Sequence, residues 1–156
     1  MESQKSPDQA ALDRVFFGEY PRGLDKKGRM TLPAPFREML GDEPVFITLG
    51  FDGCLSLYPK SKFDIMRRKA QEKELTSSEA REFNRFFFGS GALTRPDSMG
   101  RVNIPPALRR YARLEKEAVV VGVNTHVEIW NPDNWQAQQQ KILEKAIHEG
   151  WENLGI

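Results

Sequence analysis

Residues 24–33 read LDKKGRMTLP, and residues 96–105 read PDSMGRVNIP. Both write Asp-x-x-Gly-Arg, then apolar, polar, apolar and Pro. An Asp entering a turn bonds its own downstream backbone, and Gly takes a positive φ that a side chain resists. Asp25 and Gly28, like Asp97 and Gly100, therefore read as the turn of a hairpin. Arg29-Met30-Thr31-Leu32 and Arg101-Val102-Asn103-Ile104 then alternate with the period of a half-buried strand. The arginine and the Thr or Asn face out, and the apolar partners face in. Pro33 and Pro105-Pro106 follow as helix starters, because a missing N–H costs nothing in a first helical turn. Beyond them Phe36, Met39 and Leu40, or Leu108, Tyr111 and Ala112, fall at i, i+3, i+4 on the apolar face of a short helix. Arg37 and Arg109 lie off that face.

Working outward, a shift of 72 residues aligns 16–58 with 88–130 without a gap and gives eight identities. About two or three would arise by chance at average residue usage. Five of the eight, at Asp25, Gly28, Arg29, Pro33 and Arg37, fall inside the opening phrase and its helix. The replacements keep their character, as in Met30/Val102, Leu32/Ile104 and Ile47/Val119. Each copy ends in two further strands, at 45–49 and 55–58 or 118–121 and 127–130, around turns at Phe51-Asp52-Gly53 and Asn124-Thr125-His126. The chain is an internal duplication whose unit is strand, turn, strand, helix, strand, turn, strand. Four short strands can hardly bury their own apolar faces, so the two copies are expected to close on each other. The fold class is mainly β with flanking helices (α+β).

The intervening and flanking segments read as helix. Residues 60–75 place Phe63, Met66 and Ala70 at i, i+3, i+7. Ser77 or Ser78 caps a second segment over 79–86, and Asn131 is the expected N-cap of a third that stops near Gly150. The expected organisation is a disordered tail over 1–14, repeat 1 over 15–60, a helical linker over 61–87, repeat 2 over 88–131, and a C-terminal helix and tail over 132–156.

Composition sets the limits on function. The chain has 156 residues, 39% of them hydrophobic, enough for one compact domain or two small ones. No segment approaches the roughly 18–20 apolar residues that span a bilayer, and the N-terminus lacks a signal-peptide apolar region, so a cytosolic protein is expected. The lone Cys54, with only His126 and His148 beside it, offers no disulfide and no metal-ligand spacing. Asp25, Asp97, His126 and Cys54 are the obvious acid, base or nucleophile candidates. They form no recognisable catalytic arrangement, and no phosphate or dinucleotide loop accompanies them, so neither an enzyme nor a cofactor is expected.

The net charge of +1 hides a segregation of charge. Arg22, Lys26, Lys27 and Arg29 stand against Asp25 alone, and Arg95, Arg101, Arg109, Arg110 and Arg113 against Asp97. The remainder of the chain is acidic, and such segregation suggests either a polyanionic partner or a pair of solvated turns.

The phrase Asp-x-x-Gly-Arg-apolar-x-apolar-Pro-x-x-apolar-Arg, present twice, together with FFGEYPRGLDKKGR at 16–29, resembles the MraZ family. The resemblance covers roughly residues 15–150. That family regulates transcription of the bacterial division and cell-wall gene cluster and is built from two domains similar to those of AbrB and SpoVT. The resemblance implies two AbrB-like repeats forming a swapped-hairpin β-barrel within one chain, ring-like homo-oligomers, and sequence-specific binding to repeated boxes of double-stranded DNA near the chain's own promoter. It also implies nucleoid association and no membrane partner. One departure between the copies matters: Lys26-Lys27 become Ser98-Met99, so the two turns cannot contact DNA in the same way.

Exposed Arg and Lys pair with phosphates, Arg also reads guanine, and a two-stranded ribbon fits the major groove. The DNA-binding candidates are accordingly Arg22, Lys26, Lys27 and Arg29, followed by Arg95 and Arg101, with the first copy as the principal reader. Arg29 and Arg101 have two readings from sequence, pairing with Asp25 and Asp97 across the turn or contacting DNA. Arg37 and Arg109 read as structural or subunit contacts, and Trp130, Trp135 and Trp151 as packing or interface residues rather than base-stacking platforms. The rival to DNA binding is an oligomeric scaffold for protein partners.

Overall fold

Helix α1 (Pro7–Leu12) leads into strands β1 (Phe16–Gly23) and β2 (Arg29–Thr31), helix α2 (Ala34–Leu40), and strands β3 (Val45–Leu49) and β4 (Leu55–Pro59). Helices α3 (Lys60–Gln71) and α4 (Ser78–Phe83) follow, the latter running into a π-helical turn at Asn84–Phe88. The second copy supplies β5 (Ala92–Thr94), β6 (Arg101–Asn103), α5 (Pro106–Ala112), β7 (Glu117–Asn124) and β8 (Val127–Trp130), and α6 (Pro132–His148) follows, with a 3-10 turn at Glu152–Leu154 after it. This computed structural model describes residues 6–74 and 76–156.

The strands pair both within and between copies. One antiparallel sheet has the order β1-β7-β8-β4-β3-β5, and β2 and β6 form a second, two-stranded sheet. The first strand of each copy thus leaves its own copy: β1 lies on β7, and β5 lies on β3. The barrel that the resemblance implies is not closed by strand pairing, since β1 and β5 end the six-stranded order without meeting.

Alternation decides what each strand buries. Val45 and Ile47 of β3, Leu55 and Leu57 of β4, and Val127 and Ile129 of β8 enter one core with Met30, Leu32, Val102 and Ile104 of the small sheet. Phe36 and Leu40 of α2 and Leu108 and Ala112 of α5 complete it, whereas Met39 and Tyr111, expected on the same apolar faces, are exposed; the Tyr111 hydroxyl donates to the Gly50 carbonyl instead of entering the core. Each large apolar side chain fully buried there contributes about 1.5–3 kcal/mol. The opposite face of the large sheet is covered at one end by the linker, where Phe63, Met66, Phe87 and Phe88 pack on Phe46 and Tyr58. The buried Thr48 hydroxyl donates to the Phe87 carbonyl at 2.5 Å and fixes the π turn on the sheet. At the other end Trp130 and Trp135 pack with ring centroids 5.5 Å apart, beside Val121.

The 72-residue correspondence slips by one residue in β7. Ile47 pairs with Leu57, whereas Val120, not Val119, pairs with Ile129. Val120 therefore takes the core place equivalent to Ile47, and Val119 faces Trp130 and Trp135. The equivalence of Ile47 with Val119 drawn from the ungapped alignment is corrected accordingly. A strand has period two, so a slip of one residue exchanges its faces. The extra residue is taken up after α5, where Leu114 enters the core while its counterpart Asp42 is exposed.

The linker and the C-terminus follow their caps. Ser77 accepts the Ala80 amide, and Asn131 accepts the Asn134 amide. Leu75, the expected last residue of the first linker helix, lies outside the described residues, and that helix ends at Gln71. The disordered tail expected over 1–14 needs a correction within 7–12, which is helical; its first five residues lie outside the described ones. Ser6 caps α1 by accepting the Gln9 amide, and Ala11 is buried. Asp8 pairs with Arg68 of α3, and Arg14 with Glu43. No helix among the described residues is long and apolar enough to cross a membrane.

Candidate nucleic-acid interface

The two Asp-x-x-Gly-Arg turns adopt one geometry. Asp25 Oδ1 accepts the amides of Lys27 and Arg29 at 2.9 Å, and Oδ2 accepts Arg29 Nε at 2.7 Å. In the second copy, Asp97 Oδ1 accepts the amides of Met99 and Arg101 at 2.9 Å, and Oδ2 accepts Arg101 Nε at 2.8 Å. The Arg29 amide, with further help from its guanidinium and the Lys27 amide, outweighs desolvation and holds the Asp25 carboxyl below its ordinary value. Arg101 and Met99 do the same for Asp97. Each Asp thus closes the turn and fixes the root of its arginine, as the pairing reading of Arg29 and Arg101 expects.

The turns meet in the small sheet. β2 and β6 run antiparallel with Arg29 opposite Asn103, Met30 opposite Val102 and Thr31 opposite Arg101. The Leu32 amide donates to the Gly100 carbonyl at 2.9 Å and the Ile104 amide to the Gly28 carbonyl at 3.0 Å, extending the ladder symmetrically. Met30 and Val102 are fully buried, which turns Arg29, Thr31, Arg101 and Asn103 outward together. The arginines of both copies therefore share one solvent-facing ribbon.

A second reciprocal contact locks that ribbon. Gly28 and Gly100 have φ of 80° and 77°, where a non-glycine residue is strained. A Cβ on Gly28 would stand 2.6 Å from Arg109 Cζ, and one on Gly100 would stand 2.3 Å from Arg37 Nε. Each helix arginine thus lies against the turn glycine of the other copy, and Arg109 Nε also donates to the Ile104 carbonyl at 3.0 Å. The sequence reading left this pairing unseen. Its one signal was that Gly28, Gly100, Arg37 and Arg109 all belong to the five identities of the opening phrase.

The remaining candidates divide. Lys26 and Lys27 are exposed at the tip of the first turn, without an ion pair among the described residues. Ser98 and Met99 occupy the equivalent tip, with Met99 63% exposed. Arg22 stands on β1 with its guanidinium 5.7 Å from the Tyr20 ring centroid and Nη1 donating to the Pro21 carbonyl. Arg95 Nη1 donates to the Asp42 carbonyl at 2.6 Å, beyond the end of α2. Neither Arg22 nor Arg95 is a residue of the small sheet.

The residues considered for catalysis are not brought together. The Cys54 thiol is buried and donates to the Phe51 carbonyl at 3.1 Å; burial, and then the nearby Glu128 carboxylate, push its pKa far up. His126 stacks on Tyr58 at 4.6 Å and lies 3.9 Å from Glu128. Asp25 and Asp97 are committed to their turns. Among the described residues no group of three or more His, Cys, Asp or Glu side chains is placed to hold a metal ion.

The family model described as "MraZ protein, putative antitoxin-like" matches the chain twice, over residues 15–86 and 87–153. The transcriptional regulator MraZ of Pelotomaculum thermopropionicum is 42% identical over 149 residues, covering 91% of this chain and all of that protein. The transcriptional regulator MraZ of Ligilactobacillus salivarius is 46% identical over 123 residues, covering 79% of this chain and 85% of that protein. With both copies matched and relatives of this similarity spanning most of its length, the chain belongs to the MraZ family and is not an enzyme.

Proposed function

We propose that this chain is a sequence-specific, double-stranded-DNA-binding regulator of transcription that binds repeated boxes upstream of its own division and cell-wall gene cluster. The observation that carries the reading is the β2–β6 ribbon, on which Arg29 and Arg101 face solvent together, each held at Nε by its own carboxylate. Arginines with fixed roots on a two-stranded ribbon suit the major groove, where Arg bonds guanine O6 and N7. Lys26 and Lys27 add phosphate contacts whose released counterions drive binding. Arg22 and Arg95 are the outer candidates for the backbone on either side. Kinship with proteins named as transcriptional regulators supports the same reading.

We further read the molecule as a ring-like homo-oligomer acting at the nucleoid in the cytoplasm. What supports self-association is α6, which has no buried residue and exposes Ile142, Leu143 and Ile147. Several copies presenting one ribbon at fixed spacing gain avidity on tandem boxes. In fold terms we read the exchange of first strands, β1 onto β7 and β5 onto β3, as a swapped hairpin.

A gel-shift series against the chain's own upstream region and random duplex, over a range of salt, with the oligomer mass measured in parallel, tests the function. Tight binding to the upstream duplex that weakens steeply with salt is expected. Equal affinity for random duplex would remove the specific-regulator reading. An oligomer that binds no duplex at any salt would leave the protein-scaffold alternative.

A further inference from the structure

The ribbon has two unlike ends. Because Gly28 is bonded to Ile104 and Arg29 lies opposite Asn103, Asn103 of the second copy sits at the end carrying the first copy's turn. Lys26, Lys27, Arg29 and Asn103 therefore form one cluster with contributions from both repeats. At the other end Arg101 lies opposite Thr31, and the adjoining turn offers Ser98 and the exposed Met99. The ladder bonds at Leu32–Gly100 and Gly28–Ile104 alternate along the ribbon, which makes Arg29–Asn103 a non-hydrogen-bonded pair. In such pairs the Cα atoms are about 4.5 Å apart and the side chains closest. Asn103 is exposed and its amide has no hydrogen-bond partner among the described residues, whereas the Asp and Arg side chains kept in both copies are committed to the turns and to each other.

We propose that Asn103 is a specificity-determining residue, reading an adenine adjacent to the guanine met by Arg29, while Lys26 and Lys27 anchor the phosphates of the same half-site. This rests on the DNA-binding reading above. An Asn amide carries one donor and one acceptor side by side, the complement of adenine N6 and N7 in the major groove. Thr31, at the equivalent position of the first copy, has a hydroxyl and a methyl and cannot make that bidentate pair. The two repeats thus act on one base step together, the first supplying charge and arginine and the second supplying the amide.

Selection from a randomised duplex library, followed by affinity measurement over a range of salt, separates these roles. Asn103→Ala is expected to lose preference for adenine at a single position by about 5- to 150-fold, with the salt dependence unchanged. Asn103→Thr, which copies the residue the other half already carries, should lose the same preference and fold as the parent does. Lys26→Ala with Lys27→Ala should weaken binding to every sequence and flatten the salt dependence while keeping the base preferences. If both Asn103 variants select the parent's sequence, the assignment of Asn103 is overturned while the lysine result upholds DNA binding. If the parent binds no duplex in a salt-dependent way, the DNA reading falls and this assignment with it.

Discussion

The turn at 25–29 and the turn at 97–101 are the same object in their hydrogen bonds and different objects at their tips. Asp, Gly and Arg make matching bonds within 0.1 Å of one another in the two copies. The tips carry Lys26-Lys27 in one and Ser98-Met99 in the other. What is repeated is committed to the ribbon: Asp closes the turn, Gly takes the positive φ, and Arg37 or Arg109 packs against the glycine of the other copy. What differs is free to meet a partner. Shared residues thus make the architecture; on the DNA-binding reading proposed above, Arg29 and Arg101 serve both ends and the unshared exposed residues serve recognition.

The largest expected effect would break the architectural half of this comparison. Gly28→Val and Gly100→Val each place a β-branched residue at a positive φ and a Cβ inside a guanidinium contact. Each should cost at least about 1–3 kcal/mol of backbone strain, read by chemical denaturation, and the two losses should be similar. A large loss at one glycine and none at the other would mean that the copies are not mechanically equivalent.

Next in size is the recognition half. Lys26→Ala with Lys27→Ala should weaken duplex binding and make the log–log salt slope shallower by about 0.9 for each phosphate contact removed, without changing oligomer mass. Ser98→Lys with Met99→Lys should move both quantities the other way if the second tip also reaches the backbone. An unaltered slope there would confine phosphate anchoring to the first tip.

A smaller effect is pH dependence. Both turn carboxyls are held below 3.8 by the Arg29 and Arg101 amides. A depressed folded-state value means their contribution is fully present above about 3.8 and is lost as the pH falls through the folded value. The amide resonances of Lys27 and Met99 should report parallel transitions below 3.8 in an NMR titration. A transition at one turn only would show that the hydrogen bonds are less alike than their distances. Least consequential is Cys54, which occupies the place of His126 in the other copy. Its buried, raised thiol should resist alkylation in the folded protein at mildly alkaline pH and react once denatured.

The readable parts of the fold share a range of interaction. Asp25 and Gly28 were legible because their bonds run two to four residues along the chain, and the Asn131 and Ser77 caps because they run three. Strands β2 and β6 were legible from alternation, and β3 and β8 as short apolar runs beside turn residues. The slip in β7 was not, since Ala118, Val119, Val120 and Val121 are all apolar and only the partner strand decides which faces inward. Helix α1 escaped notice because its support lies far along the chain, at Arg68. At the candidate interface, Lys26, Lys27, Arg29 and Arg101 were readable by type and turn position. That Asn103 stands beside Arg29 was not.

By itself, then, the sequence determined that there are two copies, where each turns, which residues of β2 and β6 face out, and that Lys26-Lys27 has no echo. Those are consequences of local hydrogen bonds, dihedral preferences and the two- and 3.6-residue periods, all of which act within a few residues. Only the tertiary structure decided that β1 lies on β7, that Arg37 lies against Gly100, and that both arginines share one ribbon. Each of these joins groups some 60 to 110 residues apart. Backbone ladders accept almost any side chain, so the choice of partner is made by burying Met30 and Val102 in the shared core rather than by a local signal.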